Sequence, residues 1–216
     1  MTLRWRAVVF DLDGTLIDTI PLIVASHRHA VQTVLGHDLP DEVLRSGIGR
    51  PLIDQMAVFD RDRAQDLYDT YRVWNHANTA ALLRRFDGVD DVLRRLDQAG
   101  AAIGVATSKS RDAVDLAFSI QPPAVTFDAI VTVEDTTRHK PDPEPVLTAI
   151  SRLGATPAGA AYVGDAPYDI AAARGAGCGA VGVTWGVASA HVLREAGADE
   201  VAETPEELAT ILVGAP

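Results

Sequence analysis

The chain has 216 residues, of which 47% are hydrophobic and 23% charged, which is ample apolar material for one or two packed domains. Nineteen Lys and Arg stand against thirty Asp and Glu, a net charge of −11, and that field argues against nucleic acid as a partner. No apolar run reaches the roughly 18 residues of a membrane helix, the N-terminal stretch before Asp11 is too short for a signal peptide, and a single cysteine excludes both a disulfide framework and a cysteine-rich metal site. The expectation is a soluble, cytoplasmic protein with no membrane partner, in which any metal is held by oxygen.

Along the chain, residues 7–10 form a first short buried strand. Residues 17–86 then read as helical almost throughout, over 20–35, 42–46, 52–58 and 61–83, with breaks at Gly36, Pro40, Gly47-Ile48-Gly49 and Pro51. Asp87-Gly88-Val89 marks a return to a different pattern. Strand-length apolar runs at 102–106, 129–133, 160–163 and 180–183 alternate there with helical spacing at 114–118 and 145–153. Short buried strands alternating with helices predict an α/β fold, a parallel doubly wound Rossmann-like sheet. The economical division is a discontinuous α/β core, 1–16 plus 87–216, with a smaller all-helical cap inserted at 17–86.

In such a sheet ligands bind beyond the carboxyl ends of the strands, so the residues following each strand carry the functional information. The first strand ends in Asp11-Leu12-Asp13-Gly14-Thr15. Two carboxylates two residues apart point nearly the same way on extended backbone, Gly14 permits a sharp exit, and Thr15 offers a hydroxyl and an N–H to an anion. Three later strands deliver Thr107-Ser108-Lys109, Lys140-Pro141-Asp142-Pro143 and Gly164-Asp165, with Asp169 four residues further on. Each has an ordinary reading as a helix cap or solvated charge. Together they bring carboxylate, hydroxyl, ammonium and carboxylate to one edge of one sheet.

That constellation resembles the haloacid dehalogenase superfamily of aspartate-nucleophile phosphohydrolases. Four motifs match in order: DLDGT at 11–15, ATSK at 106–109, KPDP at 140–143 and GDAPYD at 164–169. The resemblance implies Asp11 as nucleophile, Asp13 as acid/base, Thr107 as a ligand of the phosphoryl oxygens and Lys140 as the charge that offsets the nucleophile. It implies Mg²⁺ as cofactor, held by Asp11, the backbone carbonyl of Asp13 and Asp165, with Asp169 as a ligand or its support. The long interval between Thr15 and Thr107 fits the family's helical cap, and the interval to Lys140 leaves no room for the alternative insertion. Dehalogenating members lack a second aspartate at the position of Asp13, which argues against dehalogenation here. One departure is Ala166, where the family commonly has a hydroxyl or amide.

The implied roles are chemically coherent. A phosphate monoester dianion repels an attacking carboxylate, and a divalent cation lowers that repulsion while orienting attack. Lys140 and Thr107 supply preorganised charge and hydrogen bonds. Protonated Asp13 gives the leaving oxygen its proton and later takes one from water, and the covalent aspartyl-phosphate divides one displacement into two.

Within the superfamily the nearest resemblance is to phosphoglycolate phosphatases and related inorganic pyrophosphatases, the latter on DLDGTLIDT at 11–19, YRVWNHAN at 71–78 and KPDPEPV at 140–146. The partner implied is a small phosphorylated substrate; oligomeric state is not encoded in any motif. A sugar phosphomutase needs the same four motifs. A receiver-type phospho-acceptor module shares the residue classes, but such modules are about half this length and lack an inserted helical domain.

Outside the motifs, Arg50 in the glycine break is a candidate for a second anionic group on the substrate, and Ser108 a further substrate contact. His27 and His29, two apart on a helix, face apart and do not share a metal. His139 reads as a loop residue, Cys178 as a small packing residue, and Trp185 and Gly186 as the rim of the site. Tyr71, Trp74 and Asn78 share a helical spacing that reads as cap-to-core packing, with Asn75 and His76 beside them.

Overall fold

The computed structural model describes residues 3–214. In chain order it contains β1 (Ala7–Phe10), β2 (Ile17–Asp18), α1 (Ile20–Leu35), α2 (Asp41–Arg45), α3 (Leu52–Phe59), α4 (Ala64–Leu82), β3 (Arg84–Arg85), α5 (Val89–Gln98), β4 (Ala102–Ala106) and α6 (Arg111–Ile120). There follow β5 (Ala129–Val131), α7 (Glu144–Arg152), β6 (Ala160–Gly164), α8 (Pro167–Ala176), β7 (Gly179–Val183), α9 (Ala190–Glu195), β8 (Glu200–Ala202) and α10 (Pro205–Val213). Six strands pair in parallel in the order β5-β4-β1-β6-β7-β8. This is the α/β, Rossmann-like sheet that the alternation of short strands and helices predicts.

Alternation along β1 splits the core into two layers. Val8 and Phe10 pack with Val92 and Leu96 of α5, Val114 of α6 and Leu212 of α10. Ala7 and Val9 face Val146 and Ile150 of α7 and Ile170 of α8. Both faces of the sheet are therefore covered, which is why its strands read as apolar runs without alternation.

Helices α1–α4 gather around a separate cluster that includes Ile23, Leu44, Met56, Leu67 and Tyr71. Prolines and glycines set several ends: Pro21 opens α1 and Gly36, at φ +76°, closes it in the left-handed region that favours glycine. The chain leaves and re-enters the sheet layer through an antiparallel ribbon, Ile17 opposite Arg85 and Asp18 opposite Arg84.

Three features differ from the sequence reading. The β2–β3 ribbon is only two residues long on each side, too short for alternation to register. Strand β8 (Glu200–Ala202) passes unnoticed because two of its three residues are only half-buried at the sheet edge. The run expected over 129–133 stops as a strand at Val131, because Thr132 donates its N–H and hydroxyl to Asp135 Oδ2 at 2.8 and 2.9 Å and opens a 3₁₀ turn. Among the described residues no helix is long and apolar enough to cross a membrane.

Candidate active site

The strand order reverses direction at β1, with β4 on one side and β6 on the other, so the crevice beyond its carboxyl end is where this architecture binds ligands. Asp11 extends β1 into that crevice, its N–H bonded to Val163 O at 2.8 Å. Thr107 follows β4 in the same way, bonded to Val131 O at 2.9 Å. Asp165 follows β6, and Asp169 lies in the first turn of α8. Asp11, Thr107, Lys140, Asp165 and Asp169 are all buried.

Lys140 organises the interior of the site. Its ammonium lies 2.8 Å from Asp11 Oδ1 and 2.7 Å from Asp169 Oδ1, and donates to Tyr162 Oη at 3.1 Å. Tyr162 in turn donates to Ala106 O at 2.7 Å. Burial opposes the ammonium, but Asp11 and Asp169 outweigh it and hold its pKa well above the ordinary lysine value. Burial has the larger effect on the carboxylates. It pushes Asp11 up to about 7 against the pull of Lys140. Asp165 is also raised, by burial first and then by Asp169 and Asp11.

Asp11, Asp165 and Asp169 each offer a carboxylate oxygen within 4.8 Å of the others. Asp11 Oδ1, despite its distance to Lys140, has no well-formed hydrogen bond. A buried all-carboxylate set, in which burial first and neighbouring carboxylates after it push Asp11 and Asp165 up, fits a hard, oxygen-seeking divalent cation. Both oxygens of Asp169 are engaged: Oδ1 takes Lys140 and Oδ2 accepts the Ala166 N–H at 2.9 Å.

Asp165 sits in a cradle. Thr15 Oγ1 donates to its Oδ1 at 3.0 Å and the Val187 N–H to its Oδ2 at 2.8 Å. Gly14, at φ +79°, and Gly186 close in on it, and a Cβ at either would lie 2.3 or 2.0 Å from Oδ2. Glycine is required at both places by the approach of this one carboxylate. Thr15 thus differs from its expected role: its hydroxyl is spent on Asp165, and the residue does not line the substrate cavity.

A cavity of about 210 Å³ opens over Asp11 and Asp13 and is lined from the helical side by Leu22, Ile48, Arg50, Tyr71 and Asn75. Asp13 faces Lys109, whose ammonium donates to both carboxylate oxygens at 2.8 and 3.0 Å. Ser108, also on the lining, donates its hydroxyl to Gly49 O at 2.8 Å, a direct tie between the sheet edge and the glycine break. Arg50 reaches the cavity, and its one ion pair among the described residues is with Asp54 at 3.9 Å. Ala166 acquires a packing reason here: a Cβ on Gly49 would come within 3.3 Å of its methyl, so the small side chain permits the close approach.

Sequence reasoning missed Lys109, Tyr162 and Tyr71. Lys109 stands inside a motif whose neighbours had clearer roles. Tyr162 carries a signal, the one hydroxyl in an Ala/Val strand. The spacing Tyr71, Trp74, Asn78 misgroups its face. Tyr71 and Asn75 turn inward, whereas Trp74 stacks on His29 with ring centroids 5.4 Å apart. His27 is fully buried and its Nδ1–H donates to Leu44 O at 2.7 Å.

The chain is matched by the family model described as haloacid dehalogenase-like hydrolase over residues 8–183. It belongs to that family and is a hydrolase. A pyrophosphatase PpaX from Bacillus velezensis is 35% identical over 205 residues, covering 95% of each chain. A pyrophosphatase PpaX from Bacillus pumilus is 36% identical over 188 residues, 87% of each. Among solved structures, a predicted phosphatase from Clostridium acetobutylicum superposes with a TM-score of 0.86 at 28% identity, over 97% of this chain and 98% of that one.

Proposed function

We propose that this chain is a Mg²⁺-dependent phosphohydrolase acting on a small phosphorylated metabolite or on inorganic pyrophosphate through an aspartyl-phosphate on Asp11. The observation that carries the reading is the convergence of Asp11, Asp13, Thr107, Lys140 and Asp165 at one sheet edge beneath one cavity. Near-full-length relatives bearing the name pyrophosphatase support pyrophosphate as the first substrate to try. The working division is a core of 1–16 plus 87–216 and a cap of 17–86.

In this reading Asp11, Asp165 and the Asp13 carbonyl, with Asp169 in support, would hold Mg²⁺, which when bound would supply the positive charge that offsets the carboxylates and the incoming phosphoryl group. Asp11 attacks phosphorus, and Lys140 keeps its carboxylate charged and aimed. The Thr107 hydroxyl is available to a phosphoryl oxygen, since its oxygen already accepts the Lys109 N–H at 3.2 Å. Asp13 protonates the leaving oxygen and then deprotonates the water that cleaves the acyl phosphate. Ser108 and Thr15 act beside the reaction by tying the cap loop and Asp165 in place. The helical cap excludes water from the acyl phosphate until the leaving group departs.

The test is phosphate release from pyrophosphate, 2-phosphoglycolate and common sugar phosphates, with product analysis. Release that requires Mg²⁺ and falls at least about 10³-fold in Asp11→Asn is expected. Isomerised sugar phosphate without free phosphate would make the chain a mutase, and an active Asp11→Asn would end the covalent route.

A further inference from the structure

Behind the cavity wall, α1 and α4 are joined by one directed hydrogen-bond chain. Ser26 Oγ donates to Leu22 O at 2.7 Å, which commits the serine proton within α1. The serine oxygen accepts from Asn75 Nδ2 at 2.9 Å, and the same amide nitrogen gives a hydrogen to Tyr71 Oη at 3.2 Å. Ser26 is fully buried, and Asn75 and Tyr71 are 9% and 7% exposed. Direction follows from the serine. With its own proton on Leu22 it must accept from Asn75, so the amide orientation is fixed and Tyr71 receives a hydrogen. The phenol itself donates no well-formed hydrogen bond among the described residues; its nearest further polar neighbour is Ser26 Oγ, which already donates to Leu22 O and accepts from Asn75.

Tyr71 lines the same cavity as Asp11 and Asp13, beside the apolar side chains of Leu22, Ile23, Ile48 and Leu83. Resting on the phosphohydrolase reading above, we infer that Tyr71 is a specificity-determining residue that donates its phenolic hydrogen to an oxygen on the leaving portion of the substrate. The phenol remains a neutral donor, since burial and then the charge of Asp13 push its pKa up. A buried donor in an apolar wall penalises a ligand that cannot pair with it and favours one that can. The class selected is a phosphorylated compound whose leaving group bears an accessible oxygen, as a second phosphate, a carboxylate or a hydroxyl does, over a hydrocarbon ester of similar size.

The experiment compares kcat and KM of the wild type and Tyr71→Phe on pyrophosphate and 2-phosphoglycolate with those on phenyl phosphate. Phenylalanine retains the packing of the ring against His27, whose centroid lies 5.2 Å away. The expected result is a KM for the two oxygen-bearing substrates that rises about tenfold more than the KM for phenyl phosphate, with kcat changing far less. Asn75→Asp supplies a second arm, since a carboxylate there captures the Tyr71 proton and reproduces the loss although the phenol remains. Circular dichroism establishes that each variant is folded. Equal KM shifts on all three substrates, no shift in Tyr71→Phe, or a loss confined to kcat overturns the assignment. Failure of the wild type to release phosphate from any of the three overturns the phosphohydrolase reading itself and the assignment with it.

Discussion

Gly186 gives the sharpest test of how tightly the site is built. A methyl group there would lie 2.0 Å from Asp165 Oδ2 and 2.4 Å from its Cβ, so rotating the carboxylate cannot relieve the clash. Escape past Gly14 is closed as well, because the same oxygen lies within 2.3 Å of a Cβ built there. The loop after β7 must therefore retreat, by about 1 Å to bring the contact to Asp165 Cβ near 3.4 Å. That retreat carries off the Val187 N–H and the Ala188 N–H, which bond Asp165 Oδ2 at 2.8 Å and its backbone oxygen at 3.1 Å. Losing a hydrogen bond to a buried charge costs about 1.5–3 kcal/mol, and a 1 Å misplacement of a reacting constellation costs about 10²-fold in rate. Gly186→Ala is expected to remain folded with a lowered Tm, to bind Mg²⁺ more weakly by calorimetry, and to lose about 10²-fold in kcat/KM. Gly159→Ala, whose added carbon meets only Thr156 Oγ1 at 3.5 Å, serves as the control. Wild-type turnover and Mg²⁺ affinity in Gly186→Ala would refute the cradle as the device that places Asp165.

Asp13→Asn is expected to retain Mg²⁺ binding while losing far more activity on alkyl phosphates than on nitrophenyl phosphate, whose leaving group needs no proton; equal losses refute the acid role. Arg50→Ala is expected to raise KM for dianionic substrates by about 10- to 100-fold more than for nitrophenyl phosphate, since Asp54 at 3.9 Å holds the guanidinium only loosely. Parallel shifts would make Arg50 an ordinary cap residue. His27 gives a pH dependence of stability: burial lowers its pKa from 6.5 to about 4, with Leu44 O, Gln55 and the rings of Phe59 and Tyr71 around it and no charged partner among the described residues. The unfolded chain then binds more protons between those values, so about 3 kcal/mol is fully present above pH 6.5 and is lost as pH falls toward 4. Denaturation midpoints of the wild type and His27→Gln over that range check it, and parallel slopes would refute it.

The sheet was legible because its strands are buried on both faces and punctuated by the residues that end them. Asp11, Thr107 and Asp165 could be placed at one edge from that punctuation alone, since parallel strands send all their carboxyl ends the same way. Partnerships across the fold were not legible. Nothing local in Thr15 announces that its hydroxyl turns to Asp165, 150 positions away, and nothing in Ser108 announces Gly49. Lys109 was hidden for a related reason: the sequence supplies a lysine but not the direction of its four-carbon stem, and only the folded chain sets it against Asp13. The face of α4 was misjudged because Tyr71 pairs with the residue four positions on, Asn75, while Trp74 lies on the neighbouring stripe.

The charge of the inner site sets an order of binding. Three carboxylates, those of Asp11, Asp165 and Asp169, share a space in which their oxygens lie within 4.8 Å, and Lys140 returns a single positive charge. Above the raised pKa values of Asp11 and Asp165, where all three are ionised, two negative charges stand uncompensated beneath the cavity. At an effective dielectric of about 20, each pair of like unit charges about 5 Å apart costs roughly 3 kcal/mol. A phosphate dianion brought there therefore meets a penalty larger than a few hydrogen bonds from Thr107 and its neighbours repay. A divalent cation on the same oxygens removes the excess, so the proposed cofactor should precede the anion. The expected outcome in calorimetry is no detectable binding of inorganic phosphate to chelated protein, and binding that appears once Mg²⁺ is added. Arg50 and Lys109 do not substitute for the cation, because one lies in the glycine break beside Asp54 and the other is paired with Asp13. Phosphate that binds the chelated protein as tightly as the Mg²⁺-loaded one would show that this ledger of charge is wrong and that cations of the chain itself neutralise the site.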